Sequence, residues 1–182
     1  MIYLFLAEGF EEIEALTPVD LLRRAGAPVT TVGIGGKRIV GSHGIAVEAD
    51  ITDSQFATLD LTDTEMVILP GGMPGTKNLD ASDIVHSALD FAIQNDKYIA
   101  AICAAPMILG KRGDLSGKEA ICYPGFEKYL CGARISNKKV IRDGKIITAQ
   151  GMGVALEFAL SLISALCGES LSEELRAAVI AD

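Results

Sequence analysis

The stretch Tyr98-Ile99-Ala100-Ala101-Ile102-Cys103-Ala104-Ala105-Pro106 decides the fold. Residues 98–102 form a short apolar run, which reads as a buried strand. It leads directly into Cys103, and small residues then open a helix predicted over 104–109, ending near Gly110. A strand that turns at once into a helix is the unit of a parallel α/β sheet.

Working outward, the same grammar recurs. Residues 2–7, 29–34 and 66–69 are apolar runs of strand length. The last is closed by Pro70-Gly71-Gly72-Met73-Pro74-Gly75. Between and beyond them, helices are predicted over 11–25, 82–95, 154–167 and 173–180. Ser82 suits an N-cap, and Gly26 stops the first helix. Pro18 sits inside that helix and removes the N–H that would bond the Glu14 carbonyl, so a kink is expected there. Two hairpins are predicted, one over 38–47 around residues 41–44 and one over 139–148 around Asp143-Gly144. Strands alternating with helices imply a mostly parallel sheet with helices on both faces. With 182 residues and no linker, repeat or low-complexity segment, one domain spanning 1–182 is expected.

Composition excludes several function classes. Hydrophobic residues make up 49% and charged residues 22%, which is the balance of a globular chain. The net charge of −8 repels polyanions, and no basic stripe with interleaved aromatics is present, so no nucleic-acid partner is expected. The apolar start is short, lacks a basic region and runs into Glu8, Glu11, Glu12 and Glu14. It does not read as a signal peptide, and no uncharged stretch has the length of a bilayer span. A cytoplasmic protein without membrane contact is expected. Of the four cysteines, none forms a Cys-x-x-Cys pair, and only His43 and His86 are available to assist. No metal site and no cofactor is expected. In a reducing compartment the cysteines are free thiols, and the question becomes which of them reacts.

Cys103 is the candidate. At a strand-to-helix junction its side chain leaves the pleat and sits near unpaired helix N–H groups, which favour an anion and lower a thiol's pKa. The same residues fit an ordinary buried cysteine. In such sheets ligands bind beyond the carboxyl ends of the strands. Glu14, Gly72 and Cys103 all follow such ends. Gly71-Gly72 can offer backbone N–H groups, with that of Ala104, to an oxyanion. Glu14, on pattern alone, is a surface acid like its neighbours. No phosphate-binding glycine loop and no Gly-x-Ser-x-Gly elbow occurs.

Taken together, Glu8-Gly9-Phe10-Glu11-Glu12-Ile13-Glu14, Leu69-Pro70-Gly71-Gly72 and Ala100-Ala101-Ile102-Cys103-Ala104-Ala105-Pro106 resemble the ThiJ/PfpI superfamily. The similarity is to its branch of the parkinsonism-associated protein deglycase and runs nearly end to end. It implies a flavodoxin-like three-layer sandwich, usually a homodimer. It implies Cys103 as nucleophile, Glu14 as its protonated carboxyl partner, and Gly72 and Ala104 as oxyanion donors. Gly71, Tyr123 and His43 complete the implied substrate-binding set. Three residues depart from the pattern. Ala104 stands where the protease-like branch has histidine, which argues against peptidase activity. Tyr123 replaces a histidine common in close relatives, and His43 replaces an arginine. The implied activity is a cofactor-independent glyoxalase or deglycase, acting on a small aldehyde or a glycated protein. The rival is a redox-sensing, stress-protective protein whose Cys103 oxidises to the sulfinate.

Overall fold

Strand residues whose side chains alternate between two apolar faces need a covering layer on each side, and this chain supplies both. The computed structural model describes residues 1–181. In chain order the elements are β1 (Ile2–Leu6), α1 (Glu12–Arg24), β2 (Val29–Gly33), β3 (Arg38–Val40), β4 (Ala46–Glu48), β5 (Ile51–Thr52) and α2 (Asp53–Phe56). Then come β6 (Met66–Leu69), α3 (Gly75–Asp80), α4 (Asp83–Gln94), β7 (Tyr98–Ile102), α5 (Pro106–Arg112), β8 (Glu119–Ala120) and β9 (Arg134–Ile135). The chain closes with β10 (Val140–Asp143), β11 (Ile146–Ala149), α6 (Ala155–Cys167) and α7 (Glu169–Ala178).

Seven strands form one sheet in the order β10-β11-β7-β6-β1-β2-β5. Every neighbouring pair is parallel except β10 with β11. Tyr3, Phe5, Val67, Leu69, Ile99 and Ala101 pack against helices on one face, among them Leu89 of α4 and Ile108 of α5. Ile2, Leu4, Met66, Ile68, Ala100 and Ile102 face the other way, against Leu22 of α1 and Phe158 of α6. This is the mostly parallel sheet with helices on both faces expected from the alternating pattern, and the flavodoxin-like sandwich that the resemblance implies. Full burial of such Leu, Ile and Phe side chains contributes about 1.5–3 kcal/mol each.

The chain leaves β1 toward β2 on one side of the sheet, whereas β6 and β7 lie on the other. The order therefore reverses between β1 and β6, the place where a crevice opens beyond the carboxyl ends. Register puts those ends level: Ile68 pairs with both Leu4 and Ala100, and Ile102 pairs with Ala149. The loops after β1, β6 and β7 thus meet at one spot.

Helix α1 continues through Pro18, over Glu12–Arg24. One local expectation is corrected: the terminal helix starts at Glu169, earlier than residue 173.

The segment after β8 is fixed over the site by close backbone contact. Ile121 N–H donates to Thr148 Oγ1 (2.9 Å) and Tyr123 N–H to the Cys103 carbonyl (2.7 Å). Farther along, Gly110 of α5 lies so near that a Cβ there would stand 2.1 Å from the Tyr129 carbonyl oxygen. Backbone cannot yield as a side-chain end can. Gly110→Ala is therefore expected to destabilise the fold by about 2 kcal/mol. Urea unfolding checks this, as a lower midpoint at unchanged slope. An unchanged midpoint contradicts the contact.

Candidate active site

Cys103 is the first residue beyond β7, and its backbone is left-handed, with φ 65°. A non-glycine residue held there costs about 1–3 kcal/mol and persists only where its surroundings fix it. Here they do. Its N–H donates to the Ala149 carbonyl of β11 (2.9 Å), and its own carbonyl accepts from Tyr123 N–H. The kink turns the side chain out of the sheet at the crevice.

The acid arrives from α1. Glu14 is completely buried. Its Oε2 accepts the Gly71 N–H at 3.0 Å, while Oε1 has no hydrogen-bond partner among the described residues. Gly71 makes room for the encounter: a Cβ there would lie 2.5 Å from Glu14 Oε2 and 2.6 Å from Cys103 Cβ. Any side chain at that position would drive the acid and the thiol apart. Gly72 follows with φ 89°, a conformation that suits glycine.

Two backbone donors bear on Cys103. The N–H groups of Gly72 and Ala104 pull its thiol pKa down, and neither has a backbone acceptor among the described residues. They are the two groups that the resemblance implies as oxyanion donors. Gly71 is not one of them, because its N–H is committed to Glu14. Its role is to seat the acid.

The charge balance departs from the expectation of a lowered thiol pKa. Burial first, then the charge and hydrogen bond of Glu14, push the Cys103 thiol up to about 12, against the pull of the Gly72 and Ala104 N–H groups. Burial likewise pushes Glu14 up to about 7, opposed by Cys103 and the Gly71 N–H. Both shifts oppose ionising the two groups together, so near neutrality the pair retains one proton. With the proton on sulfur, Glu14 is a buried carboxylate. With it on Glu14, the carboxyl donates toward a thiolate that Gly72 and Ala104 also solvate, and Glu14's influence on sulfur changes sign.

The space above the sulfur is a cavity of about 150 Å³, lined by Gly72, Met73, Cys103, Ala104, Tyr123 and Phe126. Tyr123 is half-exposed, and its ring meets that of Phe126 edge-on at 6.4 Å. Sequence reasoning missed Met73 and Phe126. No pattern flagged them, since each depends on a loop folding back over β7.

His43 is not among the residues lining this cavity. It sits at the tip of the β3–β4 hairpin, where its Nδ1 is 2.9 Å from Glu12 Oε2 and 3.4 Å from Glu11 Oε2. Glu12 also accepts the His43 backbone N–H at 2.8 Å. Burial acts upward on Glu12, but the His43 ring and backbone N–H groups outweigh it and hold the acid at about 2. His43 is raised in turn by its bond to Glu12. The histidine therefore clasps the hairpin to α1. Glu11, Glu12 and His43 also bring ligand atoms within 4.8 Å of one another, the one grouping of metal-binding residue types among the described residues. None of the three lines the cavity over Cys103.

Known proteins resemble this chain in sequence and fold. Residues 1–165 match the model of the DJ-1/PfpI family. Protein dj-1beta of Drosophila melanogaster is 37% identical over 172 residues, covering 93% of this chain and 90% of its own length. The solved structure of oxidized DJ-1 from Toxoplasma gondii superposes with a TM-score of 0.91 at 32% identity, covering 98% of this chain and 97% of that one. A Caenorhabditis elegans protein named as a glutathione-independent glyoxalase is 28% identical over 171 residues, covering 92% of this chain and 89% of its own length. With a strained cysteine after β7 and a family match over most of its length, the chain belongs to the DJ-1/PfpI family.

Proposed function

We propose that the protein is a cysteine-dependent glyoxalase or deglycase-like enzyme that uses no cofactor. The observation that carries this reading is a buried carboxyl, Glu14, meeting Cys103 across Gly71, where a Cβ would lie 2.5 Å from Glu14 Oε2 and 2.6 Å from Cys103 Cβ, beside the uncommitted N–H groups of Gly72 and Ala104. The Cys103 thiolate adds to the aldehyde carbon of glyoxal or methylglyoxal, forming a C–S bond. The carbonyl electron pair moves to oxygen, where Gly72 and Ala104 N–H groups hold it. Glu14 protonates that oxygen. It then removes the proton from the same carbon and returns it to the neighbouring carbonyl carbon, while the hydroxyl proton passes to the neighbouring oxygen, leaving a 2-hydroxy thioester. Water hydrolyses the thioester to a 2-hydroxy acid and restores the thiol. The overall change is addition of one water, with no external oxidant or reductant. A carboxyl near pH 7 suits both the giving and the taking of a proton.

The same donors favour a second reading as a redox sensor. Peroxide converts a thiolate to the sulfenate and then the sulfinate. Sulfinate oxygens at Cys103 would accept from Gly72, Ala104 and protonated Glu14. We read the protein as a cytoplasmic homodimer without nucleic-acid or membrane partners. Exposed Ile13 and Leu16 on α1, with Ile45 on the clasped hairpin, offer apolar surface for a second copy. Among the described residues no helix is long and apolar enough to cross a membrane.

Three outcomes are expected. Lactate formation from methylglyoxal falls at least about a thousandfold in Cys103→Ser; equal activity removes Cys103 from the mechanism. Peroxide titration with peptide mapping finds sulfinate at Cys103 ahead of the other cysteines, whereas even oxidation across all four contradicts the sensor reading. The third concerns stability. Glu14's pKa is raised on folding, so its stabilising protonation is fully present below pH 4.5 and is lost as pH rises through about 7. Wild type is expected to lose about 3 kcal/mol from this group between pH 4.5 and 8. Glu14→Gln lacks that loss, and urea unfolding of both proteins across the range measures the difference.

A further inference from the structure

The cavity over Cys103 has a neighbour. Met73 and Phe126 line both it and a wider groove of about 380 Å³. Two lysines from separate elements, Lys77 of α3 and Lys128 of the turn Glu127–Tyr129, line that groove. Both are exposed, and neither is within 4.0 Å of a carboxylate among the described residues. Lys111 nearby is different, being paired with Asp80 at 2.6 Å. Glu127, adjacent to Lys128, turns its Oε2 onto the Gly125 N–H at 2.7 Å and does not line the groove. Lys128 Nζ stands over the ring of Tyr129, another residue lining the groove, 5.1 Å from its centroid.

On a chain of net charge −8, two unpaired cations lining a groove that shares Met73 and Phe126 with the cavity over the sulfur are a local reversal of sign. The floor between them and Cys103 is apolar, made by Met73 and Phe126. A carbonyl compound as short as glyoxal fits within the small cavity and does not reach this groove. One that is a few atoms longer and ends in an anion uses both. We propose that the preferred substrate of Cys103 is an aldehyde bearing an anionic group a few atoms from its carbonyl, bound with that anion against Lys77 and Lys128. This rests on the reading of Cys103 as a carbonyl nucleophile and adds the part of the substrate that the sulfur does not touch. Lysine's mobile point charge suits a carboxylate at the end of a flexible chain.

Protection of Cys103 from alkylation by iodoacetamide tests it, because a hemithioacetal blocks the sulfur. Succinic semialdehyde carries the anion, butanal is its neutral counterpart, and glyoxal is the reference in each protein. In wild type, succinic semialdehyde is expected to half-protect at a concentration about fivefold below that of butanal. In the double variant Lys77→Gln/Lys128→Gln, the semialdehyde-to-glyoxal ratio rises by about the same factor, while the butanal-to-glyoxal ratio holds. Raising salt in wild type moves the semialdehyde ratio the same way. A ratio unchanged by the double substitution, with glyoxal still protecting, overturns the anion subsite alone. Absence of any protection by glyoxal in wild type overturns the nucleophile reading, and the subsite with it.

Discussion

The packing of a fully buried carboxyl, Glu14, beside the half-buried thiol of Cys103, which disfavours ionising both, is the constraint around which the site is built. A carboxylate and a thiolate side by side in a dry crevice repel each other and lose their water, so both cannot ionise near neutrality. The site therefore keeps a proton ready and an anion ready at once. Which atom holds the proton is set by small terms: the Gly71 N–H on Glu14, and the Gly72 and Ala104 N–H groups on sulfur. An incoming carbonyl competes for the same donors, since the oxyanion it becomes needs them more than the thiolate does.

The fold delivers these groups from three places in the chain. Glu14 comes from α1, the glycine pair from the loop after β6, and the cysteine from the end of β7. They meet because the strand order reverses between β1 and β6 and the parallel register keeps the strand ends level. The left-handed backbone of Cys103 is tolerated because β11 and the Tyr123 segment each take one of its peptide groups. Gly110 lets that segment lie close enough to roof the cavity with Tyr123 and Phe126.

Much of this was legible in the sequence. Strands β1, β6 and β7 are buried on both faces, so each is written as a continuous apolar run that no polar residue interrupts. Cys103 was legible as a junction residue. The two-residue strands β5, β8 and β9 were not, because so short a run carries no periodicity. Glu14 reads locally as a surface acid, and only the glycine pair that closes over it from 57 positions away makes it a buried one. Gly71 and Gly72 look interchangeable in sequence, yet one N–H seats the acid and the other bears on Cys103. His43 also misled: a hairpin-tip histidine has no local signal that Glu12 will claim it.

The pH dependence of Cys103 alkylation tests the shared proton most directly. If the single remaining proton resides on Glu14, the thiolate is present as soon as the pair loses its first proton. Reactivity toward iodoacetamide then rises with a midpoint at or below about 7, and Glu14→Leu, which cannot donate, moves that midpoint upward. If the proton resides on sulfur, reactivity stays low until the pair empties near 12. A midpoint above about 9 in wild type, or one that Glu14→Leu leaves in place, contradicts the account.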